Sequence, residues 1–326
     1  MFSQVLTIVL PVFLLVGIGY ATARTGILSQ AVGEALGQFV YVIAIPVLIF
    51  KTLATVSSDT DAPWAMWAAY FGGVALAWTA GTLIIRKLFA REARAGVIGG
   101  ISAGFANTVM VGIPLVSAVL GKDGLVPLIL LISVHLPVMT IVTAILMERA
   151  AALDGTAEAR SALVVLRSIL ASLVRNPIVI AIVSAMVWRL IGLPLTGILE
   201  DVLSRISATS LPLALLSLGM SMVLYGIRGN LLPGLLLSLI KVGVMPGMVL
   251  LLALHVFHLP PLWTAAMTLT AACPTGVNAF IFANRYGTGH AMSANSITLT
   301  TAAAVLTCGL WVILLDRLGL IGVPGG

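Results

Sequence analysis

VIGGISAGFANTVMVGIPLVSAVL, residues 97–120, is long enough to cross a bilayer yet carries Gly112-Ile113-Pro114 inside an otherwise apolar run. Proline has no N–H, and its ring crowds the carbonyl four residues back. The stretch therefore reads as a helix that unwinds before Pro114 and restarts with Pro114 near its first position. Bare backbone groups in mid-membrane are tolerated only against protein or a watery cavity. A restarted half-helix points its N–H groups and positive dipole end there, which suits an anion. The same pattern recurs in TAAMTLTAACPTGVNAFIFA, residues 264–283, where Cys273-Pro274-Thr275-Gly276 interrupts the run and Asn278 follows. Two interrupted spans in corresponding halves of a chain point to the substrate site of a secondary transporter.

Working outward, the 326 residues are 60% hydrophobic and 9% charged, with a mean hydropathy of +1.16, so the chain is a polytopic membrane protein. The net charge of +6 reads as loop bias rather than as a nucleic-acid surface. Cys273 and Cys308 are too few for a disulfide framework, and both lie in apolar runs as buried thiols. The N-terminus lacks a basic segment ahead of its apolar run and reads as a first span kept in the mature protein.

Ten apolar runs, at 3–22, 33–55, 64–85, 97–120, 124–147, 168–191, 204–226, 231–256, 262–284 and 290–315, predict ten transmembrane helices in an all-α fold. With the N-terminus outside, inside loops hold Arg24, Arg86, Lys87, Arg91, Arg94, Arg149, Arg160, Arg167, Arg175, Arg228 and Arg285. Outside loops hold only Lys122, Arg189, Arg205 and Arg317, alongside acids that include Asp59 and Asp61. That asymmetry predicts an N-out, C-out topology. Five spans per half is odd, so two homologous halves must insert in opposite orientations. Proline spacing agrees: Pro11 answers Pro177, Pro46 answers Pro212 and Pro114 answers Pro274, at offsets of 166, 166 and 160 residues. The expected division is a five-helix repeat over 1–148, a cytoplasmic linker over 149–165 and an inverted five-helix repeat over 166–326.

Asn107-Thr108 and Asn278 flank the two breaks. A lone buried amide reads as glue between helices, but a pair flanking paired breaks reads as a binding site. Lys241 is a cation deep inside a predicted span with no acid within a helical turn. Ionised, it faces a cavity, pairs with backbone carbonyls or offsets a negative substrate; the alternative is a snorkelling side chain. His135 reads first as a satisfied buried imidazole and second as a proton relay. No Asp or Glu lies deep in any span, so a carboxylate-based cation site is unsupported, and there is no P-loop, HExxH or cysteine–histidine metal spacing. Neither a cofactor, nor a metal, nor an enzymatic activity is expected.

The run Asn107-Thr108-Val109-Met110-Val111-Gly112-Ile113-Pro114-Leu115 resembles the fourth-span signature of the auxin efflux carrier family, and Ser217-Leu218-Gly219 resembles its seventh-span motif. Ala272-Cys273-Pro274-Thr275-Gly276-Val277-Asn278-Ala279-Phe280, with Arg285-Tyr286-Gly287 beyond, resembles the ninth-span signature. The resemblance covers essentially the whole chain. It implies a ten-span fold like that of the bile acid–sodium symporters, with helices 4 and 9 crossing at their prolines. Spans 1, 2, 6 and 7 would form a scaffold and a homodimer contact, and the remainder a moving transport domain. It further implies transport of small organic anions such as malonate, malate or auxin across a bacterial inner membrane. Its site positions map onto Asn107, Pro114 and Pro274, with the neighbours Thr275 and Asn278 as candidates, and the expected substrate-binding set adds Thr108, Gly112, Ile113, Cys273 and Gly276. Lys241 and His135 stand as possible coupling or charge-compensating residues. The central loop is far shorter than in long plant carriers, and the acidic crossover residue of the sodium symporters has no equivalent. Uniport, proton coupling and sodium coupling stay open, as do a channel with a static filter and a membrane sensor.

Overall fold

The computed structural model describes residues 2–55, 63–156, 171, 174–225, 227 and 229–322, with side chains from residue 7 onward. Asp59, Asp61, Arg160, Arg167, Arg228, the start of the sixth expected span and part of the linker lie outside the described residues. Within them the chain is helical, with no strand and a single two-residue bridge between Ala106 and Thr275. In order the helices are α1 (Phe2–Arg24), α2 (Gln30–Phe39), α3 (Ile45–Thr55), α4 (Trp64–Leu83), α5 (Ala93–Gly104), α6 (Ile113–Leu153), α7 (Pro177–Ile191), α8 (Gly197–Tyr225), α9 (Leu231–Leu239), α10 (Met245–Leu251), α11 (Pro261–Ala272), α12 (Asn278–Tyr286) and α13 (His290–Arg317).

Seven continuous helical stretches among the described residues are long and apolar enough to cross a membrane. Three of the ten expected spans are not continuous helices of that length among the described residues. One is the 15-residue α7; another is divided into α11 and α12. The fourth is divided between α5 and the start of a 46-residue stretch, Thr108–Leu153. That stretch kinks at Gly121, whose φ of 65° and ψ of −156° fit a residue without a Cβ.

The break in the fourth span lies earlier than Pro114. α5 ends at Gly104, residues 105–107 are non-helical, and the chain restarts at Thr108 as a widened π turn, Thr108–Gly112, which leads into α6 with Pro114 in its first turn. The expectation that Pro114 breaks the helix is thus corrected. The same arrangement occurs twice more: Pro46 follows the π turn Val40–Ala44, and Pro246 follows Ile240–Val244. A turn closed by i→i+5 bonds accommodates a residue that cannot donate and whose ring crowds the preceding carbonyl, so the helix widens instead of parting.

The two half-helices that precede the breaks form the centre. Residues 95–104 of α5 and 264–272 of α11 are all buried, and their small side chains allow neighbours to approach closely. α1 packs on α8, α3 on α7 and α8, α4 on α5 and α10, α11 on α6 and α10, and α9 on α13. At the α1–α8 crossing, a Cβ on Gly19 would lie 2.1 Å from the Leu216 carbonyl oxygen. One on Gly219 would lie 2.0 Å from that of Val16. Only glycine fits at either place, which gives Ser217-Leu218-Gly219 a packing role.

Candidate functional site

The two breaks meet. Asn107 N–H donates to the Pro274 carbonyl at 2.9 Å, and Gly276 N–H donates to the Phe105 carbonyl at 2.8 Å. Each interrupted strand therefore satisfies backbone groups that the other leaves bare, as the apolar surroundings require. Gly276 is tightly enclosed, since a Cβ there would lie 3.0 Å from the Phe105 ring and 3.2 Å from the Ala106 oxygen, and one of them would have to give way.

The carbonyl ends of both leading half-helices are capped by side chains, one from across the crossing and one from a neighbouring helix. The Thr275 hydroxyl donates to the Ser102 oxygen near the end of α5, at 2.9 Å. Lys241 Nζ donates to the Ala271 and Cys273 oxygens at the end of α11, at 2.6 and 2.7 Å. Lys241 sits on the π turn Ile240–Val244 and is fully buried. Of the readings open for it, the structure selects pairing with backbone carbonyls and excludes snorkelling. A cation at the negative end of α11 is favourable, and no acidic partner is needed.

The restarting half-helices differ. Asn107 caps the Thr108 end itself, its side-chain oxygen accepting from Met110 N–H at 3.1 Å. Its amide nitrogen is buried and finds no partner among the described residues. Asn278 opens α12, where no side chain caps the preceding residue; its own side chain is half-buried and makes no hydrogen bond among the described residues. The crossing thus presents the Asn107 amide as a donor, while at the start of α12 the Ala279 and Phe280 N–H groups already donate to the Gly276 and Val277 oxygens, at 3.1 and 3.0 Å; no carboxylate lies among the residues of either break.

Other expected residues serve the frame. Cys273 is fully buried with its thiol turned back to the Leu269 oxygen at 3.3 Å, away from the donors. Thr275 donates through both its hydroxyl and its N–H, the latter to Thr300 Oγ1 at 3.0 Å. Gly112, Ile113 and Pro114 are buried in the first turns after the restart, Gly112 beside the Cys273 sulfur, and Thr108 is buried at the restart itself. His135 lies behind the crossing among the Tyr70, Phe71 and Phe105 rings, with Nε2 at 3.5 Å from the Tyr70 hydroxyl. That enclosure matches the satisfied imidazole.

Sequence reasoning missed Thr300, which holds Thr275 in place while donating to the Ser296 oxygen at 2.6 Å. Ser293, Ser296 and Thr300 recur at helical spacing inside an apolar span, and that polar stripe was the available signal. It also missed Asp154, which accepts from the N–H groups of Ala93 and Arg94 at 2.8 and 3.0 Å and from Arg94 Nε at 3.2 Å, closing the N-terminus of α5. Burial works against the ionised Asp154 carboxyl, but these bonds outweigh it and hold the group below its usual range.

Residues 4–312 match the membrane transport protein family, that of the auxin efflux carriers. The chain is also similar to an uncharacterized transporter of Methanothermobacter thermautotrophicus, 25% identical over 315 residues that span 94% of this chain and 97% of that protein.

Proposed function

The chain belongs to the membrane transport protein family, and from that premise we propose that it is a secondary carrier of small organic anions, mono- or dicarboxylates, working by alternating access. The carrying observation is the buried, unpartnered Asn107 amide nitrogen at the crossing of two interrupted helices. A donor left bare in an apolar interior is unfavourable unless a ligand meets it. A carboxylate would accept from Asn107 Nδ2 and lie near the Asn278 side chain at the start of α12, with Lys241 supplying a fixed positive charge behind the crossing.

In this reading the chain crosses the membrane ten times, N-out and C-out in a bacterial inner membrane, as two inverted repeats. The reciprocal bonds at the crossing support the repeat. So does the pair of indole bonds, Trp67 to the Leu130 oxygen and Trp311 to the Val242 oxygen, which join the third span to the fifth and the tenth to the eighth. The scaffold comprises α1, α2 with α3, α7 and α8, which also offer the homodimer contact, and the remaining helices move with the crossing. Lys241 is held by carbonyls and His135 is walled by rings, so uniport of the anion is the favoured mode.

The test is a thermal-shift screen of mono- and dicarboxylates on purified protein, followed by uptake of the best binder into proteoliposomes. Saturable uptake with counterflow is expected, reduced about tenfold by Asn107→Ala, the size of one lost hydrogen bond to a charged group. Undiminished uptake in both Asn107→Ala and Asn278→Ala overturns the site.

A further inference from the structure

Tyr225, the last residue of α8, and Phe280, in the first turn of α12, meet edge to face with ring centroids 5.4 Å apart and planes at 80°. α8 and α12 do not pack along their lengths, so the two rings span the space between them. His290, which opens α13, stands against Phe280 in the same manner, at 6.3 Å and 79°. Phe280 is thereby backed by the helix that follows its own, while Tyr225 approaches from a different one. Tyr225 and Phe280 are both half-buried, and His290 is exposed.

An aromatic pair at a helix end is ordinary packing, and alone it carries nothing. Its place gives it more. Phe280 follows Asn278 by two residues, about 3 Å along α12, so the pair lies next to the crossing on the side of Arg285. On that side Asn284 and Arg285 are exposed, whereas Cys273, Pro274, Thr275 and Gly276 in the break are buried. The rings stand where the chain passes from enclosed to open. Their contact is also of a kind that breaks and reforms readily. It holds no ion pair, the Tyr225 hydroxyl makes no hydrogen bond among the described residues, and edge-to-face rings add only a modest attraction.

We propose that Tyr225 and Phe280 form the inner gate of the crossing, a ring pair that closes the route from Asn278 to the cytoplasm and parts when α12 moves away from α8. This gate rests on the alternating-access reading above, in which α8 stands with the scaffold and α12 moves. The two rings then belong to bodies that must change their separation in every cycle. His290 keeps Phe280 with α12 and α13 as Tyr225 withdraws. Rings in contact exclude a hydrated anion without holding it, which suits a barrier that must open again.

The test is the accessibility of Asn278→Cys in the full-length protein, read with a charged, membrane-impermeant maleimide on inside-out and right-side-out vesicles. Cys273 and Cys308 are fully buried and leave a low background. Phe280→Ala and Tyr225→Ala should each raise the rate of labelling from the cytoplasmic face about tenfold, the order of one aromatic pair lost from the closed state. Tyr225→Phe keeps the ring and should leave that rate unchanged, and labelling from the outer face should rise with none of the three. Phe280→Leu, which keeps apolar bulk without a ring, should act in the same direction and serves should Phe280→Ala not fold. Unchanged rates in folded variants that lack a ring, or a rise from the outer face, overturn the gate. Labelling reads the route and not the substrate. A tenfold rise alongside undiminished uptake in Asn107→Ala and Asn278→Ala removes the transport site and leaves the gate, whereas lost uptake with unchanged labelling removes the gate alone.

Discussion

Lys241, expected from the sequence as a possible coupling or charge-compensating residue, caps backbone carbonyls in the structure. Its two bonds complete the carbonyl end of α11, and its charge stands behind the donors of the crossing. Lys241→Met would leave the Ala271 and Cys273 oxygens buried and bare, at a cost of about 1–3 kcal/mol for each unsatisfied group. We therefore expect a lower melting temperature together with a steep loss of uptake, read on the same purified sample; a stable variant with full uptake would remove Lys241 from the site. Asp154 makes the opposite kind of contribution, at a helix N-terminus near the end of α6. Its folded-state pKa lies below its unfolded value, so its stabilisation is present above the unfolded value and is lost as pH falls through the folded one. Asp154→Ala should cost about 1 kcal/mol near neutral pH, as for other helix caps. The gap between variant and wild type in melting temperature should close in acid.

Among the elements, the interrupted helices are held open by pairing and not by proline alone. Pro114 follows a π turn that already widens the helix, whereas the Pro274 carbonyl accepts the Asn107 N–H in the break itself. Pro114→Ala should therefore keep more uptake than Pro274→Ala, which places an extra N–H where the backbone is already committed. Equal losses would return the break to Pro114. Gly219→Ala sets a Cβ 2.0 Å from the Val16 oxygen, and overpacking of this kind costs about 1–3 kcal/mol or more. Separation of α1 from α8 should show as a lower thermal midpoint in detergent. The sequence made the paired interruptions legible because glycine and proline inside apolar runs have few other uses. It misplaced the first by several residues because widening and breaking a helix call for the same proline, and only the partner strand distinguishes them. Lys241 was legible as an anomaly, but its carbonyl partners lie 30 and 32 residues away along the chain and follow no local pattern. Thr300 was hidden for the same reason, its hydroxyl meeting a backbone N–H 25 residues away.

At the scale of the molecule, the crossing is tied to the helices around it, while α1 and α8 meet that group along a different surface. α1 touches α13 and α6, α8 touches the Thr108–Gly112 turn, and a cavity of about 610 Å³ lies along this seam between α1, α8 and α13. A carrier that rocks or slides along the seam must change the separation of Gly17 and Thr301, which line the cavity from α1 and α13; a channel with a static filter need not. Cysteines at both positions, bridged by a short reducible bis-reactive linker, should cut uptake about tenfold and recover it on reduction, since a locked seam traps one state. The native thiols do not confuse the result, because Cys273 and Cys308 are both fully buried. Each single cysteine treated with the same linker should transport normally, which separates a bridge from mere filling of the crevice. Flux that continues through the bridged protein would mean that the seam does not move, and the crossing would then have to act as a fixed filter.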